Sequence, residues 1–96
     1  MSPKNKKKLD LIRIKLDKLD NKILSLIKLR KNLVNEVLKL KEYKKEIVDS
    51  KRINFILKKI KAKSIKLSVD PMITNRIWKN MIWAFIDYEK KNFKKK

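Results

Sequence analysis

The chain contains no glycine, no cysteine and no histidine, and each absence removes a class of function. Without cysteine there is neither a disulfide nor thiolate chemistry. Without histidine the commonest metal ligand and neutral-pH general base is missing, which argues against a metalloenzyme or a Ser/His/Asp hydrolase. Without glycine there are no phosphate-cradling loops or dinucleotide fingerprints, and few tight turns are expected. No apolar run approaches the ~18 residues of a membrane span, and the lysine-rich start lacks a following signal-type apolar stretch. A soluble cytoplasmic protein needing neither metal nor cofactor is the expectation.

What is present is charge and helical periodicity. Ninety-six residues with a net charge of +19 make one small domain near the lower limit for a self-sufficient core. Of 29 basic residues only four are arginine: Arg13, Arg30, Arg52 and Arg76. Only arginine offers a planar fork that grips a carboxylate through two parallel hydrogen bonds. On position alone, four scattered arginines among 96 residues read as chance. The charge itself has two readings. A basic surface could bind nucleic acid through phosphate contacts and counterion release. A lysine-, isoleucine-, asparagine- and leucine-biased genome would give the same composition, and the charge is spread over the whole chain instead of forming a stripe. The runs Lys6-Lys7-Lys8 and Lys94-Lys95-Lys96 read as solvated ends, so residues 1–8 are expected to be a disordered basic N-terminus and 93–96 a basic tail.

Between them, 9–92 reads as three helices. Leu9, Ile12, Leu16, Leu19, Ile23, Leu26, Leu33, Val37 and Leu40 form a three-four seam sustained over more than four heptads, as in a coiled coil. A helix of roughly 35 residues would be ~50 Å long, too long for so small a domain to bury, so a second copy is implied. Arg30 takes a seam position, and its i±3 and i±4 neighbours are Leu26, Ile27, Leu33 and Val34. It is either a register break or snorkelling cation, or a buried cation awaiting an anionic ligand. After a polar connector from Glu42 to Val48, Asp49 is a good N-cap for a second helix carrying Ile53, Ile56, Leu57 and Ile60. Asp70-Pro71 starts a third, with Ile77, Trp78, Met81, Ile82, Phe85 and Ile86 at helical spacing. Glu89 ends the Trp78–Ile82–Phe85 stripe; such an acid is usually just solvated.

Geometry narrows the options along the first helix. Arg30 and Lys41 are eleven residues apart on nearly one face, with Cα atoms ~16 Å apart, so both can converge on one small ligand. Arg13 lies ~25 Å from Arg30 along the axis and cannot join them within one chain. An antiparallel second copy would return its Arg13 toward Arg30.

The stretch Ile12-Arg13-Ile14-Lys15-Leu16-Asp17-Lys18-Leu19-Asp20-Asn21-Lys22-Ile23-Leu24, followed by Leu29-Arg30 and Val37-Leu38-Lys39-Leu40-Lys41, resembles the first helix of the all-helical chorismate mutases. Ile47-Val48-Asp49-Ser50-Lys51-Arg52 is similar to their second-helix entry, and Val69-Asp70-Pro71 with Ile77-Trp78 and Met81 to Glu89 to their third helix. The similarity covers about residues 9–90. It implies an all-α fold, an intertwined three-helix homodimer, and chorismate-to-prephenate isomerisation on the shikimate route to aromatic amino acids. Each site would draw Arg30 and Arg52 from one chain and Arg13 from the other, holding the two carboxylates of chorismate. Lys41 would reach the ether oxygen, Glu89 would stand against the same atom, and Asp49 would lie near the substrate hydroxyl.

Two positions depart from the family pattern. Ile53 replaces a glutamate that often follows the second-helix arginine, and Phe85 replaces a small hydroxyl residue. The pocket should therefore be less polar. Related isochorismate-pyruvate lyases share the cation set and can carry an aromatic near Phe85, so that activity is the alternative, with a non-catalytic nucleic-acid-binding helical dimer behind it.

Overall fold

The computed structural model describes residues 1–95. The chain is all-α: α1 spans Pro3–Leu40, α2 Ser50–Lys66 and α3 Pro71–Asn92, with one 3-10 turn at Lys44–Glu46. No strand occurs among the described residues. The chain divides into two units, Met1–Leu33 and Val34–Lys96.

In the first unit α1 begins at Pro3, ahead of the expected Leu9. Ser2 caps it: the Asn5 N–H donates to Ser2 Oγ at 3.2 Å and the Lys6 N–H to the Ser2 carbonyl at 2.8 Å. Proline at the first helical position loses no hydrogen bond and its φ is already helical. Residues 3–8, read from sequence as part of a disordered arm, are thus helical. Nothing in this unit is buried. Leu16, Leu19 and Leu26 on the seam are 52, 53 and 63% exposed, so α1 carries an exposed apolar face within this unit.

In the second unit Leu38, Ile47, Ile82 and Ile86 form a buried core against which Ile53, Ile56, Leu57, Trp78 and Phe93 pack. The connector is more than polar spacer, since Ile47 plugs this core at 3% exposure. Both expected helix starts are present. Asp49 Oδ1 accepts from the Arg52 N–H at 3.0 Å, and Asp70 Oδ1 from the Met72 N–H at 2.9 Å. Each bond satisfies one of the four donors that a helix start leaves without partners. Behind the α2–α3 turn, buried Ser64 shares a 2.7 Å hydroxyl contact with Thr74. The segment after α3 also departs from a plain basic tail. Phe93 packs on the core, and Lys95 Nζ donates to the Lys39 carbonyl at 2.6 Å. Lys96, the end of the expected 93–96 tail, lies outside the described residues.

A chain without glycine still has to end α2 sharply. The Val69 N–H bonds the Ser64 carbonyl and the Ser68 N–H the Ile65 carbonyl, at 2.9 and 3.2 Å. This is the paired closure in which the residue after the cap turns left-handed, a position usually held by glycine. Here Ser68 holds it, at φ 56°. Ser68→Gly is expected to stabilise the fold by about 1 kcal/mol, because the Cβ penalty of the left-handed region exceeds glycine's extra unfolded-state freedom. Thermal unfolding at matched protein concentration checks this; an unchanged or lower midpoint contradicts it.

Candidate active site

Lys41 follows directly on the last residue of α1. Its N–H reaches only the Leu38 carbonyl, at 3.3 Å, so the backbone is already leaving the α-helical ladder. Glu89 lies on α3, three and seven residues beyond the buried Ile86 and Ile82. That spacing keeps it on the core-facing stripe. It is buried, at 6% exposure. The Lys41 ammonium donates to Glu89 Oε1 at 2.9 Å, with the two side chains 17 and 8% exposed.

An ion pair in this position is a poor device for stability. Desolvating two charges costs several kcal/mol per ion, and the mutual attraction only roughly returns it. Hydrophobic residues of similar volume would serve the core as well. What the pair does supply is one fixed cation and one fixed acid, held against each other at 2.9 Å.

Beside it, Lys41 and Asp49 share the wall of an open depression of about 400 Å³ with Glu46, Val48, Ser50 and Lys51. The 3-10 turn shapes this wall, because Glu46 Oε1 accepts from the Tyr43 N–H at 3.2 Å and closes the connector on itself. Asp49 has two tasks: one oxygen caps α2 while the carboxylate borders the depression. Arg52 is exposed, and its guanidinium lies over the Phe55 ring, 5.3 Å from the centroid. That stacking leaves the planar fork's edge for an anion. Phe85 is half-buried one helical turn before Glu89.

The remaining expected site residues belong to the other unit. Arg13 is exposed on α1 and Arg30 is half-buried. Within the second unit Lys41 contacts Glu89 and shares a wall with Asp49. Arg76, given no role from sequence, is exposed. Sequence reading missed two polar contacts to the last turns of α1: Tyr88 Oη donates to Asn35 Oδ1 at 2.8 Å, and Lys95 holds the Lys39 carbonyl. Tyrosine inside an otherwise apolar helix face was the available signal, since a half-buried phenol needs a partner.

No cluster of three or more His, Cys, Asp or Glu that could hold a metal ion occurs among the described residues. No helix among them is long and apolar enough to cross a membrane.

A model of the family described as chorismate mutase type II matches residues 12–90. No curated protein and no solved structure gives a significant match. The family match takes in every candidate residue from Arg13 to Glu89, across all three helices, so the chain belongs to the chorismate mutase type II family.

Proposed function

We propose that the protein is a chorismate mutase that isomerises chorismate to prephenate in a site shared between two copies of the chain. The observation that carries this reading is the part-buried Lys41–Glu89 contact in a chain matched by the family over 12–90. The reaction is an intramolecular [3,3] rearrangement: the ether C–O bond breaks while a C–C bond forms. It calls for no nucleophile, so the absence of histidine and cysteine costs nothing. Catalysis then has two parts. The enolpyruvyl arm must be held over the ring in a chair-like conformer, and the negative charge growing on the ether oxygen must be stabilised.

In this proposal Arg30 and Arg52 of one chain and the partner's Arg13 bind the two carboxylates. Lys41 turns from Glu89 to the ether oxygen, and Asp49 meets the ring hydroxyl. Glu89 assists only in its protonated form, as a hydrogen-bond donor to the same oxygen. An anion there would repel the developing charge. Phe85 supplies an apolar wall in place of a small hydroxyl. The homodimer is supported by the uncovered seam of α1. A second copy laid antiparallel would bury that face, and each half-exposed leucine so covered contributes on the order of 1 kcal/mol.

Phe85 is also the one residue that favours the second reading, the isochorismate-pyruvate lyase. The two are separated by their products. Purified protein should consume chorismate, followed by its ultraviolet absorbance, and yield prephenate without pyruvate. Pyruvate release from isochorismate, with chorismate untouched, would move the assignment to the lyase.

A further inference from the structure

A lysine one residue past a helix end is only as well placed as that end. The last four carbonyls of an α-helix have no intrahelical donor, and Lys39 supplies one of them on α1. The Lys95 ammonium fills that vacancy at 2.6 Å, where the helix dipole also favours a cation. Tyr88, the residue before Glu89, makes a second fastening through its 2.8 Å bond to Asn35. Phe93 adds an apolar one by packing on the cluster that contains Leu38. On α1, Asn35 and Lys39 lie just before Lys41; on the other side, Tyr88 and Lys95 bracket Glu89. Lys95 lies beyond the 12–90 family match.

We propose that Tyr88 and Lys95 are positioning residues. They clamp the end of α1 so that Lys41 Nζ is held where it meets Glu89 and, on the reading above, the substrate ether oxygen. Neither touches the reacting atoms. The proposal rests on the mutase reading for its catalytic consequence, but not for the clamp itself. Misplacement of a catalytic group by ~1 Å can cost up to ~10²-fold in rate, so a clamp remote from the chemistry has room to matter.

The test uses the full chain with Tyr88→Phe, Lys95→Met, the double variant and Lys95→Arg. In unligated protein, hydrogen exchange at the Lys41 amide should quicken in the double variant while the Ile56 amide in α2 keeps its protection. With chorismate, kcat should fall about tenfold in the double variant while KM stays within about twofold, the signature of lost transition-state stabilisation alone. Lys95→Arg, which keeps a donor, should restore the rate lost in Lys95→Met. In a Lys41→Ala background the double substitution should cost nothing further. Unchanged exchange at Lys41, or an equal loss with Lys41 already removed, overturns the clamp. If the wild type does not turn over chorismate, the mutase reading fails and exchange alone judges the clamp. Should the double variant not fold, Tyr88→Phe, which deletes one oxygen, carries the same measurements.

Discussion

Mixing Arg13→Ala protein with Arg30→Ala protein is expected to restore activity that neither has alone. Each arginine is proposed to bind a substrate carboxylate, a charge-assisted contact whose loss should lower kcat/KM by about 10²–10³-fold. In a heterodimer, one site receives both damaged residues and the other receives neither. Random exchange makes half the dimers mixed, each with one working site of two, so activity should recover to ~25% of wild type. The physical basis is the length of α1: Arg13 and Arg30 are seventeen residues apart on one helix, ~25 Å along its axis. One chain cannot bring both to one small molecule. If subunit exchange is demonstrated and no activity returns, the two-chain site is wrong.

The second large effect concerns Glu89. In the free protein it faces Lys41 at 2.9 Å in a largely water-excluded position. On the proposed mechanism Glu89 serves as a hydrogen-bond donor to the ether oxygen, a role an anion could not fill. Glu89→Gln, which keeps a neutral donor at this position, should hold kcat within about tenfold of the wild type, whereas Glu89→Ala, which leaves no donor, should lower it by about 10²–10³-fold. Circular dichroism of each variant separates this from unfolding. Equal losses in the two variants would exclude the donor role.

How much of this was legible in sequence depends on range. The three-four seam from Leu9 to Leu40 gives α1 directly, because an apolar helical face repeats locally. Asp49 and Asp70-Pro71 likewise announce α2 and α3, since capping bonds span only a few residues. Ser2-Pro3 carries the same signal as Asp70-Pro71 but was hidden in a lysine run that reads as solvated. The left-handed turn at Ser68 left no signal, as serine stands where glycine would have marked it. Ile47 looked like part of a polar connector because seven residues hold too little periodicity to show a single plug.

For the site, the limits are different. Lys41 and Glu89 are 48 residues apart, and no periodicity links them; only the family resemblance did. Asn35 with Tyr88 and Lys39 with Lys95 are separated by 53 and 56 residues. They became visible only once α3 and the segment after it were placed against the last turns of α1. The arginines, by contrast, were conspicuous because lysine has taken nearly every other basic position. The +19 charge that first suggests nucleic acid is background on this account, and the few forks within it carry the function.

The most direct measurement is chorismate consumption by wild-type protein and Lys41→Ala side by side, without added metal or cofactor. The wild type should convert chorismate rapidly to prephenate, and the variant should show a kcat lower by about 10²–10³-fold, with the helical spectrum unchanged. Equal turnover by the two proteins, or none by a folded wild type, would contradict the proposal.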